Sequence, residues 1–96
     1  MIVSDKNVDS WKFFLKICVE LKTANELEGF FRFILTHGER EDIAHRIRIV
    51  KELLLEEKTQ REIAASTGVS IAKITRGSNQ LKDADVKLKN FLKSKL

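Results

Sequence analysis

The chain has 96 residues, of which 43% are apolar, 33% are charged and none is proline. This composition favours a single all-α domain over residues 1–96 and excludes a disordered chain. Cys18 is the one cysteine, so an internal disulfide is excluded as well. The apolar runs are far shorter than the ~20 residues needed to cross a membrane, so we expect a cytoplasmic protein. The formal net charge of +4 divides into −2 over residues 1–57 and +6 over residues 58–96, which indicates an anionic partner such as nucleic acid for the second part or, alternatively, a solvated lysine-rich C-terminal helix.

Three helices are predicted between residues 10 and 57. In the first, from about Ser10 to Thr23, apolar residues recur at steps of three and four, which places Trp11 and its neighbouring phenylalanines in the core and makes Cys18 a small buried side chain. The second (25–35) and third (38–57) are apolar around most of their circumference, and Thr36 and Glu39 have the spacing of a capping box at the start of the third. Because so short a chain has little core, we expect a second copy to cover these helices, and we predict residues 10–57 to be the dimerisation region of an obligate homodimer.

Residues 59–79 have the pattern of a helix-turn-helix. Thr59 and Glu62 form a capping box that begins one helix, and Gly68 is suited to end it in the left-handed conformation. Ser70 is a suitable N-cap for the helix that follows. The apolar residues at three positions would fix the angle between the two helices: Ile63, Val69 and Ile74. A C-terminal helix is predicted over residues 83–96, with Asp83 and Asp85 at its start.

The second helix of this motif presents small or donor-bearing side chains to the outside, as suits a helix that enters the major groove of DNA. Gly77 is expected to end this helix early, which would leave it mobile and in need of another element to hold it. The outward residues are Ser70, Ala72, Lys73, Thr75 and Arg76.

Three blocks of the sequence resemble the tryptophan repressor family: LTHGER at 35–40, HRIRIVKELL at 45–54, and the run 59–82, which contains ITRGSN. The resemblance implies an intertwined homodimer of about six helices per chain. It also implies a repressor that binds double-stranded operator DNA when L-tryptophan is present as co-repressor, and so represses genes of tryptophan biosynthesis or uptake.

The same resemblance implies a tryptophan site. Arg46 and Arg76 match the two arginines that hold the indole ring between them, and Gly77 matches the glycine that leaves room for it. Gln80 stands where the family has a serine near the ligand's amino group. Thr36 matches a threonine that lines the pocket. The backbone carbonyls of Phe33 and Leu35 match the groups that accept hydrogen bonds from the ligand's ammonium group.

For DNA, the resemblance implies phosphate contacts from Gln60, Arg61 and Lys82. The family's positions that face the bases match Ile71, Ala72, Lys73 and Thr75. Ser70 and Arg76, which also point outward, complete the predicted DNA-binding set.

Alternatives remain open at this point. Arg46 has the spacing for a surface salt bridge with Asp42 or Glu39. The chain as a whole could be a DNA-binding regulator with another effector or none, or a helical adaptor that binds protein and uses the motif only for packing. No catalytic or metal-ligand spacing is present, so we expect neither an enzyme nor a cofactor beyond the co-repressor.

Overall fold

A computed structural model describes residues 4–96, and this part of the chain contains six α-helices and no strand. The predicted all-α class is therefore confirmed. A short 3-10 helix, Asp5–Asn7, comes first. The helices are α1 (Val8–Glu20), α2 (Ala24–Ile34), α3 (His37–Leu55), α4 (Gln60–Thr67), α5 (Ile71–Lys82) and α6 (Val86–Lys93).

The chain divides into two compact units between Arg40 and Glu41, in the first turn of α3. In the first unit, aromatic side chains of α1 and α2 pack together. The ring centroid of Phe14 lies 5.5 Å from that of Trp11, 5.8 Å from that of Phe30 and 6.1 Å from that of Phe31. These separations are in the range of favourable aromatic pairs. The four rings are only half-buried, as is Cys18, so the expected burial of Trp11 and Cys18 is reached only in part.

The predicted capping box at the start of α3 is present. The Thr36 hydroxyl accepts a hydrogen bond from the backbone N–H of Glu39 at 3.1 Å, and the Glu39 carboxylate accepts one from the Thr36 N–H at 2.9 Å. Nearby, the Arg40 guanidinium donates to the carbonyl oxygen of Leu35 at 2.8 Å. The carbonyl that ends α2 therefore has a cationic partner within its own unit.

The second unit holds a small apolar core where α4 meets α5. Ile63 and Ile74 are 1% and 0% exposed, and Val69, from the turn between them, is also buried. Partly buried Ile49 and Leu53 of α3 pack against this cluster. Burial of an isoleucine side chain stabilises a fold by about 1.5–3 kcal/mol, so this cluster fixes α4 and α5 to the C-terminal half of α3.

Two side chains of α3 also contact the last turn of α4. Arg48 donates to the carbonyl oxygen of Ser66 at 3.1 Å, and the Nε2 atom of His45 lies 3.4 Å from the carbonyl oxygen of Thr67. The last carbonyls of a helix have no partner within it and carry partial negative charge, so donors from α3 satisfy them. These contacts attach the first helix of the motif to α3 independently of the apolar core.

The C-terminal helix α6 begins at Val86, three residues after its predicted start at residue 83. The carboxylate of Asp85 accepts from the backbone N–H of Lys87 at 2.8 Å and caps the helix. Asp83 has a different position from the one expected, because α5 runs to Lys82 and Asp83 is its C-terminal cap.

Candidate nucleic-acid interface and ligand cavity

The helix-turn-helix is built by local hydrogen bonds that the sequence predicts. The Thr59 N–H donates to the Glu62 carboxylate at 3.0 Å, and the Glu62 N–H donates to the Thr59 hydroxyl at 3.1 Å. The backbone hydrogen bond from Thr59, followed by the bond with its side chain, lowers the pKa of the Glu62 carboxyl below the ordinary glutamate value. Gly68 ends α4 with a φ of +73°, in the left-handed region that disfavours side chains. Ser70 then caps α5 by accepting from the Lys73 N–H at 3.3 Å.

The outer surface of the motif carries the side chains that were predicted to face DNA. All of those on α5, with Ser70 before it and Arg61 on α4, are exposed, and Gln60 is half-buried. One contact joins the two helices on this side: the Thr75 hydroxyl donates to Oε1 of Gln60 at 2.7 Å. The surface thus combines cations with small polar groups and leaves them accessible. The predicted DNA-contacting residues of α5, all exposed, are Ile71, Ala72, Lys73, Thr75, Arg76 and Lys82.

The expectation that the second helix ends at Gly77 is wrong, because α5 continues through Gly77 to Lys82. A glycine inside a helix costs about 1 kcal/mol relative to alanine. Here it lies against α3: a Cβ atom at this position would be 3.6 Å from Cγ2 of Ile49 and 3.7 Å from Cδ1 of Leu53. Packing against α3 thus offsets the low helix propensity of Gly77.

A cavity of about 600 Å³ lies in the second unit beside the motif. Four of the seven predicted tryptophan-site residues line it: Arg46 from α3, and Arg76, Gly77 and Gln80 from α5. The other three belong to the first unit, and their roles remain predictions. The cavity wall is completed by Asp42, His45, Ile49, Val50, Gly68, Val69, Ser70 and Lys73.

Arg46 is exposed and, within residues 4–96, forms no ion pair with Asp42 or Glu39. Its guanidinium is therefore available to a ligand in the cavity.

Sequence reasoning did not assign Asp42 and Ile49 to the site. Helical spacing could have found them, because they are four residues before and three residues after Arg46 and so share its face of α3.

Within the part of the chain that the structure describes, no group of His, Cys, Asp and Glu side chains is placed to hold a metal ion. In the same residues, no helix has both the length and the apolar character needed to cross a membrane.

Comparison with known proteins shows the relationship of the chain to others. Residues 9–96 match the family described as Trp repressor protein. A Trp operon repressor homolog of Chlamydia caviae is 50% identical over 93 residues, covering 97% of this chain and 92% of that protein. The homolog of Chlamydia trachomatis serovar L2 is 43% identical over 98% of this chain and 100% of its own length. That of Xylella fastidiosa strain M23 is 39% identical, with coverage of 91% and 92%.

Proposed function

The chain belongs to the Trp repressor protein family, a family of transcription regulators, and on that premise we propose that it represses transcription by binding operator DNA when L-tryptophan is bound. The genes it controls are then those of tryptophan biosynthesis or uptake, and it acts in the cytoplasm. The observation that carries the proposal is the cavity between α3 and α5, because the helix that would read DNA forms one of its walls.

A bound tryptophan would link the recognition helix to α3. Arg46 and Arg76 line the cavity from different helices, and each guanidinium plane has the chemistry to stack on an indole face. Such cation–π contacts are worth about 0.5–2 kcal/mol each. Gly77, which presents no side chain, leaves space for the ring. The ligand would thereby hold α5 in one position relative to α3, which is the coupling that a co-repressor needs.

The ligand's ammonium group has two candidate acceptors in the cavity of the second unit. Gln80 offers an amide oxygen, and the Asp42 carboxylate lines the same cavity and offers a charged one. In the first unit, the carbonyls of Phe33 and Leu35 and the side chain of Thr36 are the groups implied by family membership. The Leu35 carbonyl already accepts from Arg40, so its second lone pair would serve the ligand.

The exposed face of the helix-turn-helix is proposed to contact DNA. Arg61 and Lys82 would bind phosphates, with Gln60 and the N-terminus of α4 adding amide donors. Ser70 and Arg76 flank the part of α5 that would enter the major groove. The side chains proposed to face the base edges are Ile71, Ala72, Lys73 and Thr75.

Exposed apolar side chains on α1 and α2 support a homodimer. Phe13, Val19 and Phe33 are 64%, 80% and 85% exposed. Leaving such side chains in water forfeits about 25 cal/mol for each Å² of apolar surface, so we propose that a second copy covers them. Two copies would also present two helix-turn-helix motifs to the half-sites of a palindromic operator.

The test is titration of a labelled palindromic operator at fixed salt, with and without L-tryptophan. We expect tryptophan to raise the affinity at least tenfold, about 1.4 kcal/mol of coupling, and Arg46→Ala or Arg76→Ala to abolish this gain. Lys51→Ala removes an exposed charge of α3 that does not line the cavity, so it is the matched control and should keep the gain. Loss of the gain in the control would contradict the assignment of the cavity.

A second candidate is a regulator of the same fold that responds to another effector or to none. Gln80 favours it, because its side chain is longer than the serine that the family carries at this position and reduces the room in the cavity. This case would be identified by an operator affinity that is independent of tryptophan in the wild type but increases with tryptophan in Gln80→Ser. Binding that ignores tryptophan in both would indicate a different effector or none.

A further inference from the structure

Two side chains of α3 contact the last turn of α4, directly before the turn that leads into α5. Nη2 of Arg48 donates to the carbonyl oxygen of Ser66 over 3.1 Å, and Nε2 of His45 lies 3.4 Å from the carbonyl oxygen of Thr67. His45 and Arg48 are three positions apart, so they share one face of α3. We call this pair of contacts the α3–α4 tether.

We propose that Arg48 is a positioning residue for the recognition helix α5. Its hydrogen bond to Ser66 stabilises the position of the motif that binds DNA, and it does so without the ligand. The α3–α4 tether therefore sets the operator affinity of the ligand-free protein, to which tryptophan adds. This inference rests on the proposed function, because it requires that one position of the motif relative to α3 binds the operator.

The C-terminus of α4 has no cation of its own. Its last turn contains no basic residue, whereas the last turns of α5 and α6 contain Lys82 and Lys93. The carbonyls at the end of a helix have no partner within the helix and carry partial negative charge. Hydrogen bonds from charged donors are the stronger ones in proteins. Arg48 therefore supplies from α3 the cation that α4 lacks, and it stabilises α4 only while the end of α4 lies against α3.

The turn of the motif transmits this constraint to α5. The Thr67 hydroxyl donates to the carbonyl oxygen of Ile63 at 2.7 Å and accepts from the N–H of Val69 at 3.3 Å. Val69 and Ile74 are buried with Ile63 in the core between the two helices. Because hydrogen bonds and packing join α4, the turn and α5, a contact that fixes the end of α4 also fixes the start of α5.

The tether and the proposed ligand hold different parts of the motif. Arg48 contacts the end of α4 and does not line the cavity, whereas Arg76 and Gly77 line it from the middle of α5. A protein whose binding-competent position is populated only in part binds its ligand more weakly in proportion to that fraction. Loss of the Arg48 contact should lower this fraction while the cavity is empty. It should have little effect once the ligand holds α5.

The test compares the wild-type chain with Arg48→Leu, which removes the donor, by measuring four dissociation constants at fixed salt. These are for operator DNA with and without saturating L-tryptophan, and for L-tryptophan with and without saturating operator. Without tryptophan, operator affinity should fall about fivefold in Arg48→Leu, the value of one hydrogen bond. With tryptophan it should fall less than about twofold. Because coupling is reciprocal, tryptophan affinity should fall about fivefold in the free protein and stay unchanged in the operator-bound protein.

Two control variants separate the hydrogen bond from the charge. Lys51→Leu removes an exposed cation of the same helix that does not line the cavity, so it should leave all four constants within about twofold of the wild type. Arg48→Lys keeps a charged donor and should show a smaller loss than Arg48→Leu. Circular dichroism and thermal unfolding confirm that each variant is folded.

Hydrogen exchange gives a second measurement that needs neither ligand. The backbone amides of residues 64–69 report local opening at the end of α4. In the ligand-free protein, these amides should exchange about fivefold faster in Arg48→Leu than in the wild type, which is the same loss of one hydrogen bond. Lys51→Leu should leave their exchange unchanged.

The outcomes distinguish positioning from other roles of Arg48. Equal losses of operator affinity with and without tryptophan, together with a weaker salt dependence, would identify a phosphate contact and overturn the inference. A loss of tryptophan affinity that persists in the operator-bound protein would identify a ligand contact and overturn it as well. Both results leave the proposed function intact. Wild-type operator binding that is independent of tryptophan would contradict the proposed function, whereas unchanged exchange of residues 64–69 in Arg48→Leu would overturn the inference alone.

Discussion

The helix-turn-helix and the N-terminal helices differ in how far their apolar side chains are buried. In the motif, Ile63, Val69 and Ile74 are buried within a single chain. In α1 and α2, the aromatic cluster is only half-buried, and Phe13 and Val19 are exposed. The motif and α3 therefore complete this core within one chain, whereas we propose that a second copy covers the exposed apolar side chains of the N-terminal helices. We propose that the helix-turn-helix carries the surface that contacts DNA, and that the N-terminal helices hold the motifs of two copies together.

The largest effect is expected from the core of the motif. Ile74→Ala removes three methyl or methylene carbons from a side chain with no exposed surface and should lower the free energy of unfolding by about 2–4 kcal/mol. Urea denaturation followed by circular dichroism measures this. The exposed neighbour Thr75→Ala is the control, with an expected loss of about 0.5 kcal/mol. Equal losses would show that the core is not where we place it.

The next effect concerns assembly. Phe13→Ala should raise the dissociation constant of the homodimer about tenfold, because it removes apolar surface that the second copy would cover. Analytical ultracentrifugation over a range of concentrations gives this constant, and Lys12→Ala, at the adjacent exposed position, should change it by less than about twofold. A wild-type chain that stays a folded monomer at micromolar concentration would refute the dimer and the contrast built on it.

Two glycines of the motif are expected to respond in opposite directions to alanine. Gly68→Ala should destabilise the fold by about 1–2 kcal/mol, because alanine is strained at a φ of +73°. Gly77→Ala should stabilise it by about 0.5–1 kcal/mol, since its Cβ atom meets Ile49 and Leu53 at ordinary contact distances inside a helix. Thermal unfolding reports both. The added methyl group of Gly77→Ala also narrows the cavity, so this variant should bind L-tryptophan more weakly despite its greater stability.

The smallest effect is on the pH dependence of stability. The pKa of Glu62 is lowered in the folded state by its hydrogen bonds to Thr59, so its contribution is present above the unfolded-state pKa and is lost as pH falls through the folded-state pKa. Glu62→Gln keeps the capping geometry without a titrating group. Stability curves of the two proteins should therefore converge as the pH falls into the acidic range. Parallel curves would exclude this capping box as a source of pH dependence.

The accuracy of the sequence predictions follows the range of the interactions involved. The capping boxes at Thr36 and Thr59 and the left-handed turn at Gly68 depend on residues three or four positions apart, and the sequence was enough to locate them. The length of α5 depends on packing of Gly77 against α3, so a local reading ended the helix too early. The contacts of His45 and Arg48 with the end of α4 join residues 22 and 18 positions apart, and no local pattern indicates them.

The residues of the candidate site likewise divide into those that the sequence indicated and those that only the structure reveals. Arg46, Arg76, Gly77 and Gln80 were assigned through family resemblance, and the structure brings these four to one cavity. Asp42 lines it as well, and only the helical period of α3 could have indicated this from the sequence. The hydrogen bond between Thr75 and Gln60 joins residues 15 positions apart, and no local pattern of the sequence indicates it.

Calorimetric titration of L-tryptophan into the protein, alone and with saturating operator DNA, tests the central claim most directly. Coupling between two binding sites is reciprocal, so the operator must tighten tryptophan binding by the factor by which tryptophan tightens operator binding. We predict at least a tenfold decrease in the tryptophan dissociation constant when DNA is bound, and no such decrease in Arg76→Ala. An equal dissociation constant with and without bound operator would contradict the proposal that the cavity controls the recognition helix.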